Sequence, residues 1–276
     1  MRNERAGPGT DGRGPASGNP AGPSADGRHD DAGLLAPMTA PAVRVAGSAT
    51  LDGTPLFGPL DIGLAAGAWT CLLGASGVGK STVLRLIAGL PTGAAFDGTV
   101  TASDGLPLAG RVAYMAQGDL LFPWLDVLGN VVLGARLRGV RPDTARARDL
   151  IDRVGLGPRA DRRPRTLSGG ERQRAALART LMEDRPVILL DEPFSALDAK
   201  TRAEMQELAA GLLAGRTVLL VTHDPAEAAR LGNAILLMTA SGVTAAPVPP
   251  TAPVRPADDP ETLAAQGRLL AMMRAA

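Results

Sequence analysis

The stretch Gly74-Ala75-Ser76-Gly77-Val78-Gly79-Lys80-Ser81-Thr82 limits what this chain can fold into more than any other. It follows Trp69-Thr70-Cys71-Leu72-Leu73, a largely apolar run of strand length. It leads into Val83-Leu84-Arg85-Leu86-Ile87-Ala88, which reads as a helix. Strand, glycine-rich loop, Lys-Ser and helix in that order form a P-loop. The glycines let successive backbone N–H groups turn into one concavity, and the helix N-terminus behind them favours negative charge. Lys80 then reaches the β- and γ-phosphates of a nucleotide, and the Ser81 hydroxyl is placed to ligate Mg²⁺. A glycine turn capping an ordinary helix, with Lys80 solvated, is the plainer alternative. The fixed glycine, lysine and serine positions, together with both flanking elements, argue against it.

With 276 residues, 45% of them hydrophobic, the chain can bury one substantial core or two small ones. Its formal net charge of +1 gives no electrostatic reason to expect nucleic acid as a partner. Cys71 is the only cysteine, so no intramolecular disulfide forms, which suits a reducing compartment. The N-terminus is charged and glycine-rich, with nothing resembling a signal peptide. No run approaches the about 18–20 apolar residues needed to span a bilayer. The expectation is a soluble protein whose membrane role, if any, comes through a partner.

Residues 1–41, dominated by Gly, Pro, Ser, Ala and Asp, are expected to be a disordered tail, with His29 solvated in it. From Val43 the pattern changes. Val43-Arg44-Val45 and Leu60-Asp61-Ile62-Gly63-Leu64 alternate as half-exposed antiparallel strands do, and Asp52-Gly53 between them signals a hairpin. Gly89 and Pro91 stop the P-loop helix, and short strands fit Gly98-Thr99-Val100 and Arg111-Val112-Ala113-Tyr114-Met115. From about Gly118 to Arg165 the pattern is helical. Leu150, Ile151, Val154 and Leu156 mark one apolar face, ended near Gly155. The arginines at 159, 162, 163 and 165 read as a solvated loop rather than an anion site.

Val187-Ile188-Leu189-Leu190 and Thr217-Val218-Leu219-Leu220-Val221 are nearly unbroken apolar runs, as buried parallel strands are. Each ends in polar residues, Asp191-Glu192 and Thr222-His223-Asp224. In open parallel sheets ligands bind at the carboxyl ends of strands, where the P-loop also lies. The three polar clusters therefore converge on one edge. Asp191 becomes the metal-side carboxylate, and Glu192 is placed to polarise a water for attack on the γ-phosphorus. Leu167-Ser168-Gly169-Gly170-Glu171 opens a further helix. Ser168 and Glu171 form a capping box, and the two glycines leave the helix N-terminus bare enough to receive a phosphate. Asp224-Pro225-Ala226-Glu227 reads as another helix cap, helping to fix His223. After Ala245 the chain is proline-rich and ends in a short amphipathic helix around residues 263–273.

These motifs, in this order and over about residues 43–240, resemble those of the ATP-binding cassette (ABC) ATPases. Residues 74–82 match Walker A, Gln117 the Q-loop and residues 167–171 the ABC signature. Residues 187–192 match Walker B, Ser195-Ala196-Leu197-Asp198 the D-loop, and His223 the switch histidine. The resemblance implies an α/β fold: a P-loop NTPase core with a mixed sheet, an N-terminal antiparallel β-layer and an inserted helical subdomain. The division expected from it is a tail at 1–41, an ATPase domain at 42–245 with its helical subdomain at about 118–166, and a proline-rich tail with a short helix at 246–276.

It also implies Mg-dependent ATP hydrolysis by a head-to-tail homodimer. Each ATP lies between the phosphate loop of one copy and Ser168-Gly169-Gly170 of the other. Glu192 is the general base, His223 contacts the γ-phosphate and the attacking water, and Gln117 senses Mg²⁺ and water; Ser81, Gln117 and Asp191 form the metal set. Two departures stand out: the region Ser48-Ala49-Thr50-Leu51-Asp52-Gly53 offers no aromatic to stack on adenine, and Glu171 stands where many members have Gln.

A single cassette without membrane spans resembles the ATPase subunits of bacterial importers. The stretch from Gln117 through Phe122-Pro123-Trp124 to Asn130-Val131 is similar to the nitrate/sulfonate/taurine group and to importers of thiamine or its hydroxymethylpyrimidine precursor. That resemblance implies membrane permease subunits and a solute-binding protein as partners. It also implies a peripheral position on the cytoplasmic face of the inner membrane. Phe122, Pro123 and Trp124 either line the groove for a permease coupling helix or pack inside the helical segment. An exporter subunit shares every catalytic motif and stays open as an alternative. An ABC ATPase acting on nucleic acid or ribosomes is disfavoured by the lack of a long coiled-coil insertion or a second cassette. Cargo does not follow from a cassette, which meets ATP and the permease.

Overall fold

The computed structural model describes residues 40–276, so the expectations for residues 1–39, including His29, lie outside the described residues. Two sheets organise the chain. The first is antiparallel, in the order β2-β1-β4, built from β1 (Val43–Leu51), β2 (Thr54–Leu64) and β4 (Ala95–Ala102). Leu51 pairs with Thr54 across a two-residue turn, with Asp52 at φ 50° and Gly53 at φ 77°. Positive φ at both positions gives the turn a twist that matches the strands it joins. Val43, Val45, Ile62 and Leu64 point inward from this sheet and are buried.

The second sheet is six-stranded, ordered β5-β6-β7-β3-β8-β9, from β3 (Trp69–Gly74), β5 (Val112–Met115), β6 (Val187–Asp191), β7 (Thr217–Val221), β8 (Ala234–Thr239) and β9 (Gly242–Ala246). All pairings are parallel except β8 with β9. Strands β3, β6 and β7 are buried along their whole length, which explains their unbroken apolar sequences. Thr217 is polar yet buried because both its capacities are used: its hydroxyl donates to Pro41 O at 2.7 Å and accepts from Gly67 N at 3.1 Å. The architecture is the mixed α/β fold expected from the sequence.

Helix α1 (Lys80–Ala88) packs between the two sheets through Val83, Leu84 and Ile87. Between β5 and β6 come α2 (Val127–Val131), α3 (Leu133–Leu137), α4 (Thr144–Arg153), two 3₁₀ turns and α5 (Gly169–Met182). Leu150, Ile151, Val154 and Leu156 are buried, and Gly155 at φ 70° ends the turn after α4. Arg159 pairs with Glu171 at 2.5 Å, so at least this member of the arginine cluster is tied to the start of α5.

Helix α6 (Ala199–Leu212) joins β6 to β7, and α7 (Pro225–Leu231) follows β7. The carboxyl-terminal helix α8 spans Pro260–Ala275, longer than the sequence suggested, and buries Ala265 and Leu269 in the main core. It is preceded by Arg255, which is buried among main-chain oxygens. Its guanidinium donates to Ala229 O at 2.8 Å, Gly232 O at 2.9 Å, Pro249 O at 3.1 Å and Thr251 O at 2.7 Å. Arg230 of α7 reciprocates, donating to Arg255 O at 3.0 Å and to Gln206 Oε1 at 2.7 Å. Among the described residues no helix is long and apolar enough to cross a membrane.

Candidate active site

The loop after β3 curls because its glycines allow it. Gly77 has φ 83° and Gly79 φ 104°. A Cβ at Gly79 would meet the Phe57 ring at 2.7 Å, so the position is closed both conformationally and sterically. Gly79 caps α1 without any side-chain bond, which leaves the first N–H groups of that helix directed at the loop's concavity. Lys80, buried at the start of α1, donates from Nζ to Gly74 O at 2.9 Å and Ala75 O at 2.8 Å. Burial lowers its pKa, opposed by the charges of Glu192 and Asp191. Gly74 through Thr82 therefore form one curled loop with the Lys80 ammonium held against its carbonyls.

Asp191 closes β6 beside this loop. Its carboxyl is buried, and burial raises its pKa, while a hydrogen bond with Ser81 acts the other way. Tyr114 on neighbouring β5 adds a long contact, Oη to Asp191 Oδ2 at 3.4 Å. Ser81 and Asp191 thus offer a hydroxyl and a carboxylate near one another, hard oxygen donors that suit Mg²⁺ and not softer metals. Among the described residues there is no cluster of three or more His, Cys, Asp or Glu able to hold a metal.

One residue on, Glu192 sits at φ 50°, an uncommon backbone for a residue with a side chain. Its carboxylate lies between two groups from other strand ends. Gln117 Nε2 donates to Oε2 at 3.3 Å, and His223 Nδ1 stands 3.1 Å from Oε1. Gln117 follows β5, Glu192 follows β6 and His223 follows β7, so the parallel register carries all three to the same edge. The Glu192 side chain is mostly shielded, at 13% exposure, whereas that of His223 is at 58%.

His223 is held from behind. Asp224 caps α7, accepting from Ala226 N at 2.8 Å; the Thr222 hydroxyl accepts from Asp224 N at 3.0 Å and donates to Glu227 Oε2 at 2.7 Å. Burial pushes the Glu227 carboxyl up to about 7, with Asp224 adding to the effect and Thr222, Arg202 and His223 opposing it.

Ser168-Gly169-Gly170 lies at the start of α5. The capping box is complete: Glu171 N donates to Ser168 Oγ at 3.2 Å and Ser168 N to Glu171 Oε2 at 2.8 Å. Both the cap and the bare glycine turn coexist there, as the sequence suggests. Farther along α5, Arg172 Nε binds Asp119 Oδ2 at 2.8 Å and Arg179 donates to the Asp119 and Leu120 carbonyls, both at 2.8 Å. The segment after Gln117 is therefore pinned to α5.

The family model described as ABC transporter matches residues 57–195. The chain is 45% identical to an uncharacterized ABC transporter ATP-binding protein of Haemophilus influenzae, over 69% of this chain and 79% of that protein. The chain belongs to the ABC transporter family. Other ABC relatives carry more specific names. An aliphatic sulfonates import ATP-binding protein of Paracoccus denitrificans is 46% identical over 78% of this chain and 86% of its own length. One of Nocardia farcinica is 44% identical over 84% of this chain and 91% of its own. Membership makes the chain an ABC ATPase that binds ATP.

Sequence reasoning missed three residues around this ABC site. Gln173 is buried on α5 and reaches the turn after Glu192. Tyr114 touches Asp191. Asn130, fully buried, accepts from Phe122 N at 2.7 Å and donates to Phe122 O, Leu125 O and Asp126 O, shaping the loop that presents Trp124. The contacts these side chains make are with residues distant in sequence or with loop carbonyls, so no periodicity marks them and only the structure reveals these roles.

Proposed function

We propose that this chain is the ATPase subunit of an importer for a small organic anion of the aliphatic sulfonate class. It would act at the cytoplasmic face of the inner membrane beneath partner permease subunits, with a solute-binding protein delivering cargo. The observation that carries the hydrolytic part is the Glu192 carboxylate held between Gln117 and His223 beside the phosphate cradle. Similarity to aliphatic sulfonates import ATP-binding proteins over most of their length supports the importer part.

In this reading Gly74–Thr82 wrap the ATP phosphates with backbone N–H groups, and Lys80 exchanges its loop carbonyls for the β- and γ-phosphates. Ser81 and Asp191, with Gln117 alongside, would hold Mg²⁺, which would supply neutralisation of the phosphate charge. Glu192 accepts a proton from a water as its oxygen bonds the γ-phosphorus, and the bond from that phosphorus to the β–γ bridging oxygen breaks, releasing ADP and phosphate. His223 orients the same water and the γ-phosphate. Ser168-Gly169-Gly170 of a second copy completes the site, a bare helix N-terminus meeting the γ-phosphate. Hydrolysis then reopens the dimer and resets the permease.

Trp124 and Phe122 support the permease-facing role of the helical segment. Trp124 is 64% exposed, and its ring meets Phe122 edge-on with centroids 5.0 Å apart. Trp124 lines a groove with Leu125, Leu128, Arg136, Asp161 and Arg163, an apolar floor with charged rim that suits an amphipathic partner helix. The test is uptake of an alkanesulfonate by cells lacking this subunit and complemented with it. Co-purification with permease and restored uptake are expected; restored efflux in place of uptake would move the chain to the exporter class.

A further inference from the structure

Glu192 is held in its left-handed backbone conformation by contacts on both sides of the residue. Its N–H donates to Val221 O of β7 at 2.9 Å, and its carbonyl accepts from Gln173 Nε2 at 2.9 Å and Ser195 Oγ at 3.1 Å. Gln173 does more than this. Its Nε2 also lies 3.3 Å from Ser195 Oγ, and its Oε1 accepts from Ala196 N at 2.8 Å. A single buried amide therefore fixes both ends of the turn that follows Glu192.

The helix that carries Gln173 is itself seated on that turn. Gly170 and Gln173 are three residues apart on α5 and so share a face. A Cβ at Gly170 would lie 3.3 Å from Ala196 O and from Leu197 Cδ2, so the backbone of α5 approaches the turn closely. The first turn of α5 is the Ser168-Gly169-Gly170 corner. One rigid path thus runs from that corner through Gln173 to the main chain of Glu192.

We infer that Gln173 is a positioning residue for hydrolysis: it aims the Glu192 carboxylate by clamping the residue's backbone and locks that aim to the glycine corner of α5. A residue at positive φ stays there only when its surroundings over-determine it, and Gln173 supplies one of the bonds that do so. Removing the amide leaves the Glu192 carbonyl with fewer donors and the Ala196 N–H without its acceptor. The turn relaxes, and the carboxylate drifts from its place between Gln117 and His223. The bonds of Gln173 itself go to Glu192, Ser195 and Ala196 and to no residue of the Gly74–Thr82 loop, so the loop's affinity for nucleotide is spared.

The inference rests on Glu192 acting as the base, and the experiment separates the two. Turnover and Mg·ATP affinity are measured for the full-length protein and for Gln173→Ala, Glu192→Gln and the double variant, with thermal unfolding of each. Gln173→Ala is expected to lower kcat by about 10–100-fold, the scale of an ångström-sized misplacement, while the Mg·ATP Kd changes less than about twofold. In the Glu192→Gln background the same change is expected to alter the residual single-turnover rate by less than about twofold, because no carboxylate remains to be aimed. Losses that multiply in the double variant, or a Kd that weakens in step with kcat, overturn the inference.

Should the alanine variant fold poorly, Gln173→Glu keeps the acceptor for Ala196 N and loses the donor to Glu192 O. It is expected to be slow as well, and wild-type turnover in it overturns the inference. Normal turnover in Glu192→Gln alone would instead remove the base reading itself.

Discussion

His223 Nδ1 and Glu192 Oε1 lie 3.1 Å apart, joining the carboxyl ends of two neighbouring parallel strands through their side chains. The pair forms where the buried strands β6 and β7 stop being apolar. Replacing Glu192 by Gln keeps the shape and the contact to Gln117 but removes the proton acceptor. Turnover is expected to fall by about 10²–10⁴-fold with ATP binding retained, measured by phosphate release and by calorimetric titration with Mg·ATP.

Lys80 tests the cradle. Its ammonium is buried against Gly74 O and Ala75 O, and Lys80→Met leaves both carbonyls without that donor while removing the only lysine of the loop. Mg·ATP binding is expected to weaken by at least about tenfold, and hydrolysis to be lost with it. Unchanged nucleotide affinity in a titration would set the phosphate reading aside.

Ser168 separates folding from assembly. Ser168→Ala removes one half of the capping box and is expected to cost about 1 kcal/mol in urea unfolding. Ser168→Asp keeps a capping acceptor, so stability stays within a few tenths of a kcal/mol by the same measurement. It also sets a carboxylate where a phosphate of the neighbouring copy is to sit. Nucleotide-driven dimerisation of the Glu192→Gln form, followed by light scattering, is expected to disappear when Ser168→Asp is added.

Glu227 gives the protein a pH signature. Burial raises its carboxyl from 4.5 to about 7 in the folded chain. Below about 4.5 the group is protonated in folded and unfolded chains alike and has no effect. Between there and about 7 the unfolded chain loses the proton while the folded one keeps it, so stability falls as pH rises, by about 3 kcal/mol in all. Glu227→Gln retains an acceptor for Thr222 and removes this slope. The variant is expected to gain on wild type in melting temperature between pH 5 and pH 8; parallel curves would contradict it.

Trp124→Ala addresses the exposed aromatic pair. The groove that Trp124 lines includes no residue of the Gly74–Thr82 loop, and basal ATPase activity of the isolated subunit is expected to stay within about twofold. Co-purification with permease subunits and solute uptake are expected to drop sharply. Intact uptake would favour the reading in which the aromatics merely pack within the helical segment.

Much of this architecture was legible because it is written in hydrophobic runs and short polar stops. The unbroken apolar stretches ending in Asp191-Glu192 and in Thr222-His223-Asp224 mark buried parallel strands, and their common edge follows from the way such sheets bind ligands. Asp52-Gly53 gave the hairpin through its demand for positive φ. The sheet order was not legible. Nothing local tells β4 to pair with β1, or β3 to insert between β7 and β8, since those partners are set by three-dimensional packing. Strands β8 and β9 and helix α6 also went unread, the last because its polar surface hides a narrow buried stripe of Met205, Gln206 and Ala209. Gln173 shows the same limit for the site. Its importance lies in two backbone groups and one hydroxyl that sequence places about twenty residues away.

The guanidinium of Arg255 has a practical consequence for anyone handling this molecule. Because it is caged by oxygens of α7 and of its own approach loop, residues 247–276 work as a strap buckled across the back of α7, the helix that follows His223. Trimming the gene after β9 would unbuckle it and loosen α7 from behind, even though no residue near the nucleotide had been touched. A purification handle is better placed after α8 than after β9, so that the strap stays fastened.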